Sequence, residues 1–351
     1  MSSSALIRPV ALSGRSPQPE VGRLVQEMVP PPRFDGVRFE TYVADPSQPS
    51  QAAAVARLRA FAERQAPQAR RGWFRREPAP PAGGVYLDGG YGVGKTHLLA
   101  SLWHATPAPR ERKAFGTFVE LTNLVGALGF QPAVQALKDH SLLCIDEFEL
   151  DDPGDTVLVS TLLGKLADAG VRLAATSNTL PGKLGEGRFA AADFMREIQG
   201  LSARFTSVRI DGVDYRHRGL PAAPEPYSDD EVLRAALRTP GSALDDFDAL
   251  AAHLAAVHPS RYGALCDGVE AVFLRGVGEV TDQATALRLV VLADRFYDRE
   301  IPVMASGVPF DRLFGAELLV GGYRKKYFRA VSRLTALARD AGRPHDAGGA
   351  A

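Results

Sequence analysis

Three short stretches carry residues suited to phosphate chemistry. The first, Gly89-Gly90-Tyr91-Gly92-Val93-Gly94-Lys95-Thr96, fits G-x-x-x-x-G-K-[ST] in full. Its glycines let backbone N–H groups turn inward around phosphate oxygens. Lys95 brings positive charge to the β- and γ-phosphates, and the Thr96 hydroxyl suits Mg²⁺. His97, next in line, is counted with this loop and expected to pack under the sheet. The second stretch is the apolar run Leu142-Leu143-Cys144-Ile145, closing on Asp146 and Glu147. At the carboxyl end of a parallel strand both acids face a ligand crevice. Asp146 suits Mg²⁺, held through water, and Glu147 suits a general base acting on an attacking water. In the third, Thr176-Ser177-Asn178, the Asn178 amide can bond a γ-phosphate or the water.

Phosphoryl transfer also develops charge that an arginine can stabilise, often from a neighbouring subunit. Arg204 lies between a helical pattern and the next strand and is the first candidate, with Arg196 and Arg188 as rivals. Arg333, in the last helical segment, is expected to reach back to the γ-phosphate as a reporter of nucleotide state.

These residues need strands and helices to hold them. Val85–Leu87, Ala114–Leu121, Ser141–Ile145, Val171–Thr176 and Ser207–Ile210 read as strands. Helical patterns fall between them at Thr96–His104, Leu124–Leu137, Thr156–Ala169 and Asp193–Ala203, and an earlier one covers Gln51–Gln65. Alternation of this kind predicts an α/β core with a parallel sheet covered by helices on both faces. The expected organisation is a flexible arm over 1–33, a P-loop core over 34–216, a mostly helical lid domain over 217–341 and a disordered tail over 342–351. Helical patterns in the lid are Asp229–Leu237, Leu244–Val257, Asp282–Phe296 and Lys325–Ala341. The nucleotide is expected between core and lid.

Bulk composition narrows the function. Lys+Arg and Asp+Glu both number 41, so broad attraction to nucleic acid or anionic lipid is not indicated. Seven arginines, with Trp73 and Phe74 interleaved, lie between Arg57 and Arg76; Pro and Gly interrupt the run, which reads as a solvated helix face and loop. Two cysteines make no disulfide framework, no apolar leader stands at the N-terminus, and no run is long enough to span a bilayer. A cytoplasmic location fits. Asp151, Asp152 and Asp155 read as helix N-terminal charge. Cys144 reads as core.

With these residues in view, the chain resembles the ZapE family of AAA+ ATPases, bacterial cell-division proteins with mitochondrial relatives. The marks are Pro31-Pro32-Arg33-Phe34, Pro49-Ser50-Gln51, Gly94-Lys95-Thr96-His97-Leu98-Leu99 and Asp146-Glu147-Phe148. Thr176-Ser177-Asn178, Val213-Asp214-Tyr215-Arg216, Asp294-Arg295-Phe296-Tyr297-Asp298 and Ser332-Arg333-Leu334 extend them. The resemblance implies a P-loop AAA+ core, dependence on ATP and Mg²⁺, and association with FtsZ in some bacteria; protein quality control is the link of the mitochondrial relatives. It supports Lys95, Thr96, Asp146, Glu147 and Asn178 in the roles above. Departures are Gly187-Arg188-Phe189-Ala190-Ala191, where the family has Gly-Leu-Gln-Arg, and Arg261–Val280, a poor match to a β-rich stretch. Phe34, Phe39 and Tyr42 stand either near adenine or in the core. The expected function is ATP hydrolysis coupled to remodelling of a protein partner, in a self-associating chain. The alternative is a helicase-loader-like ATP switch on nucleic acid, which would call for a DNA-reading element that the sequence does not display.

Overall fold

Side chains alternate between the two faces of a strand, so a strand apolar at every position needs cover on both sides. Leu142–Asp146 and Gly84–Gly89 are buried at every position. The computed structural model describes residues 8–17, 21–64, 83–90, 92–149, 153–180, 184, 195–212 and 222–341. It divides into two units: Pro19–His217, and Met1–Gln18 with Arg218–Ala351.

The first unit runs α1 (Val21–Gln26), α2 (Pro49–Glu63), β1 (Gly84–Gly89), α3 (Lys95–Ala105), β2 (Lys113–Thr117), α4 (Phe118–Leu128) and α5 (Phe130–Leu137). Then come β3 (Leu142–Asp146), α6 (Pro153–Asp168), β4 (Arg172–Ser177), α7 (Met195–Ser202) and β5 (Phe205–Ile210). The strands form one parallel sheet in the order β2-β3-β4-β1-β5. Tyr86, Leu143, Ile145 and Leu173 face one core with Leu121, Leu124 and Leu162 of α4 and α6. Their neighbours Val85, Leu87, Leu142 and Cys144 face the other, against Leu58 and Phe61 of α2 and Leu98 and Leu102 of α3. Burial pushes the Cys144 thiol far up, as befits a core residue. This is the expected α/β core, a parallel sheet with helices on both faces.

Local chemistry sets the element ends. The strand expected through Leu121 stops at Thr117, because Thr117 and Glu120 form a reciprocal cap that starts α4. Gly129, at φ +84°, divides the helical pattern Leu124–Leu137 into α4 and α5. Arg172 donates to the carbonyls of Phe61 and Arg64 at 2.8 and 2.7 Å, satisfying the end of α2.

The second unit contains α8 (Asp229–Ala236), β6 (Ser242–Asp246), α9 (Phe247–Ala256), α10 (Tyr262–Leu265) and β7 (Ala271–Val277). It continues with α11 (Gln283–Asp298), β8 (Val303–Gly307), α12 (Ala316–Val320) and α13 (Arg324–Ala341). Helices dominate it, yet a parallel sheet ordered β6-β7-β8 runs through its middle, which the helical expectation lacked. Leu244 opens no helix but lies in β6, and α9 starts at Phe247; five residues, Ser-Ala-Leu-Asp-Asp, are too few to show a period. The expected flexible arm is also corrected in part: Val10 bridges Ala243 in parallel, and Leu12 is fully buried. Its Ser/Pro-rich composition hides those anchors. Residues 65–82, 185–194 and 342–351 lie outside the described residues, as do Val213–Arg216, Asp151 and Asp152.

Two of the family marks meet in this unit. Asp294 of α11 takes Arg329 at 2.7 Å and also pairs with Arg333, both on α13, and Arg333 lies 5.0 Å from the Tyr297 ring centre. Burial opposes ionisation of Asp294, but the two guanidiniums outweigh it and hold the carboxyl below its ordinary value. A depressed carboxylate pKa stabilises the fold above the unfolded value, near 3.9, and that stability drains as pH falls through the folded value. Asp294→Asn should therefore cost about 3–5 kcal/mol at neutral pH, and less in acid, by removing the charge that both guanidiniums share. Thermal melts of both proteins between pH 3 and pH 7 check this; an equal gap at both ends would remove the ion cluster from the account.

Candidate active site

Because all five strands are parallel, the carboxyl ends of β1, β3 and β4 open on one edge of the sheet. There β1 runs into Gly89 and Gly90, β3 ends at Asp146, and β4 leads into Asn178. β4 lies between the other two, so Asn178 stands between the loop and the acids.

The loop is tightly made. A Cβ on Gly89 would sit 2.2 Å from the Ile210 carbonyl oxygen, so β5 closes against it. Gly94 has φ +84°, and a Cβ there would sit 2.6 Å from the Tyr42 ring. No such contact exists at Gly90, whose Cβ would point into open space. The Tyr42 hydroxyl donates to the Val93 carbonyl at 2.8 Å, so Tyr42 roofs the loop. Gly92 is exposed and Val93 buried; Tyr91 lies outside the described residues. α3 begins at Lys95 with no side-chain cap and no acid in its first turn, leaving its N-terminal amides suited to an anion.

The candidate side chains form two neighbouring bonded sets. Lys95 Nζ donates to the carbonyls of Gly89 and Gly90 at 2.9 and 2.5 Å and to Asn178 Oδ1 at 2.9 Å. Thr96 Oγ1 lies 3.0 Å from Asp146 Oδ2. Thr176 Oγ1 donates to Asp146 Oδ1 at 2.5 Å and accepts the Glu147 N–H at 3.1 Å. Asn178 Nδ2 also approaches Glu149 Oε1 at 3.5 Å. Thr176 and Glu149 were not singled out from the sequence. Alternation along β4 holds the clue for Thr176, because it shares a face with Asn178.

Glu147 has φ +52°, a left-handed backbone unusual for its type. The turn is held from the next residue. Phe148 donates its N–H to the Thr176 carbonyl at 2.7 Å and buries its ring against Tyr86 and Phe118. The backbone between β3 and Phe148 thus places Glu147, half-buried, at the rim of the sheet.

These residues suit a magnesium nucleotide. The cation Lys95 beside neutral carbonyls and an amide, next to an uncapped helix start, fits phosphate. Thr96 with Asp146 offers hard oxygens of the kind Mg²⁺ takes. Among the described residues no group of three or more His, Cys, Asp or Glu could hold a metal by itself. Such a metal would be shared with phosphate oxygens and water rather than caged by protein.

Other expected residues stand elsewhere. His97 is not under the sheet. It is half-buried, with Nε2 3.0 Å from Thr41 Oγ1 and 3.2 Å from the Arg38 carbonyl, and its ring meets Tyr42 edge-on. Its place on α3 faces the preceding segment instead. Arg204 precedes β5, and its carbonyl accepts from Gly84, the first residue of β1, so it lies at the opposite edge of the sheet from the loop. At about 3.3 Å per residue, β1 separates the two rims by roughly 17 Å. Arg204 pairs with Asp168 at 3.0 Å. Arg196 is exposed on α7, and Arg188 lies outside the described residues. Arg333 is engaged by Asp294 within the second unit.

The AFG1-like ATPase family model matches residues 19–238 and 220–341. The chain belongs to the AFG1-like ATPase family. It is a nucleotide-binding P-loop enzyme of AAA+ type, an ATPase, as the resemblance to the ZapE family implied. Cell division protein ZapE of Escherichia coli K12 is 27% identical over 309 residues, covering 75% of this chain and 80% of that protein. Lactation elevated protein 1 homolog B of Danio rerio is 26% identical over 171 residues, 43% of this chain and 34% of that one. Among solved structures, DnaI is 17% identical, with a TM-score of 0.42 over 54% of this ATPase and 98% of DnaI. No described helix is long and apolar enough to cross a membrane.

Proposed function

We propose that this ATPase hydrolyses ATP with Mg²⁺ and couples the cycle to remodelling of a protein partner in cell division. Two bonded sets, Lys95–Asn178 and Thr96–Asp146–Thr176–Glu147, brought together by the start of α3 and the ends of β3 and β4, carry the reading. Lys95, with the amides of Gly89–Thr96 and the start of α3, holds the phosphates. Thr96 and Asp146 would hold the metal, which would neutralise charge on the phosphate oxygens. Glu147 takes the proton of the attacking water. Asn178, already bonded to Lys95, changes partner when a γ-phosphate arrives. Thr176 is a positioning residue that ties the two acids together. Division as the setting is supported by the relative called cell division protein ZapE, and FtsZ is the first partner to test.

Arg204 is assigned to the ATP of a neighbouring subunit, since its own loop is at the other rim. Arg333 acts as a nucleotide reporter only by exchanging Asp294 for phosphate. A cytoplasmic setting accords with a reduced Cys144 and Cys266.

Phosphate release from ATP, measured over a range of protein concentrations, tests the reading. Specific activity should rise with concentration, vanish on chelation with EDTA and return with Mg²⁺. No turnover at any concentration would remove hydrolysis from the proposal; a concentration-independent rate would remove Arg204 in trans.

A further inference from the structure

The edge strand of a sheet exposes unpaired N–H and C=O groups and invites another chain. β6 is such an edge, and residues 8–17 cover it. Val10 donates to the Ser242 carbonyl at 3.0 Å and accepts from Leu244 at 2.8 Å. Pairing goes no further along β6: Val10 is the one bridged residue described there, and its side chain is 41% exposed. Leu12 alone of this segment is buried, in the core beside Phe247 and Leu250.

The receiving side is specific. Asp245 is 4% exposed, and its carboxylate accepts the Leu12 N–H at 2.8 Å, the Ser13 N–H at 2.9 Å and the Ser13 hydroxyl at 2.5 Å. Among the described residues, every hydrogen bond to that carboxylate comes from this segment. Arg15 donates to the carbonyls of Leu265 and Asp267 at 2.6 and 2.8 Å, and His253 Nε2 lies 2.8 Å from the Arg15 carbonyl. A buried acid with no donor of its own, a leucine pocket and a pair of outward carbonyls make a receptor for an incoming chain. Val10 pairs at the sheet edge and Leu12 opens a 3-10 turn as the one buried anchor, so edge backbone bonds and a single pocket together hold the segment.

We infer that the second unit holds a peptide-binding groove along β6, centred on Asp245, which residues 8–17 occupy in the resting chain. Its ligand class is a short polypeptide that pairs one residue with β6 and then turns, with leucine, then serine, then arginine two residues further on, the order of Leu12, Ser13 and Arg15 here, where Leu12–Gly14 form a 3-10 turn. An external segment of that kind displaces the resident one. Nothing in this depends on how the nucleotide site works.

The test uses the full chain with a specific protease site placed at residues 18–20, and a fluorescent peptide of residues 8–17. After cleavage the labelled peptide should enter, be competed by unlabelled peptide, and bind at least about tenfold more tightly than to uncut protein, where the tethered segment competes at high local concentration. A peptide with Leu12→Asp or Arg15→Ala should bind at least about tenfold more weakly, with no change to the protein. Asp245→Asn in the cleaved protein should weaken binding similarly. If the cleaved fragment stays through gel filtration in excess peptide with no label taken up, the inference fails. It fails equally if cleavage precipitates the protein, because residues 8–17 are then a fixed strand of the fold. Equal binding of the Leu12→Asp peptide would also overturn it.

Discussion

Lys95→Ala should lose nucleotide binding, with an affinity for ATP at least about 100-fold weaker, or roughly 2.7 kcal/mol. The expectation comes from what Lys95 touches. Its ammonium already gathers the Gly89 and Gly90 carbonyls and the Asn178 amide oxygen, so it is aimed at the mouth of the loop before any phosphate arrives. A triphosphate would replace these neutral acceptors with charged ones, which bond a cation about twice as strongly. Lys95→Arg is the informative companion. It keeps the charge but brings a planar fork in place of a point, and the space between Gly89, Gly90 and Asn178 is shaped for the latter. Titration with a fluorescent ATP analogue measures both. Should Lys95→Ala bind normally while its melting temperature drops, Lys95 would be a tie between β1 and β4 and not a ligand.

Glu147→Gln should separate binding from turnover. The amide keeps the shape of the carboxylate and loses its basicity, so ATP should bind with near-normal affinity while kcat falls by about 10²–10⁴. The backbone matters here as much as the side chain. Glu147 is held at φ +52°, its N–H on Thr176 and the next residue, Phe148, locked against two aromatic rings. Glutamine meets the same backbone demand, so the variant should melt close to the parent. Single-turnover assays with labelled ATP give both constants. Undiminished kcat would remove Glu147 as the base, and Glu149, near Asn178, would become the acid to test.

Much of this site could be read before any coordinates. Gly89–Thr96 and Asp146–Glu147 are contiguous motifs whose chemistry depends on neighbours along the chain, and the short apolar runs before them placed both at strand ends. Thr176 was harder. Its importance lies in reaching sideways to Asp146 and Glu147 on β3, and no spacing along the chain encodes a lateral bond. His97 went astray for a related reason: helical periodicity says which residues share a face, not which segment covers it, and here Thr41 and Arg38 do. The second unit was the least legible. β6 and β8 are five residues each, and segments that short suit a buried strand or a helix turn equally. Asp294, Arg329 and Arg333 were visible as marks, but their mutual pairing across α11 and α13 needed the fold.

The two rims of the five-stranded sheet are unlike: one bears the glycine loop and the acids, the other bears Arg204. If the arginine of one subunit completes the pocket of the next, association is polar, with donor rim against acceptor rim. An open row then always keeps one pocket without its arginine and one arginine without a pocket. Only closure into a circle gives every copy an equivalent neighbour, so full turnover would belong to the closed assembly, and a single copy blocked at either rim would idle the adjoining pocket while leaving the remainder intact.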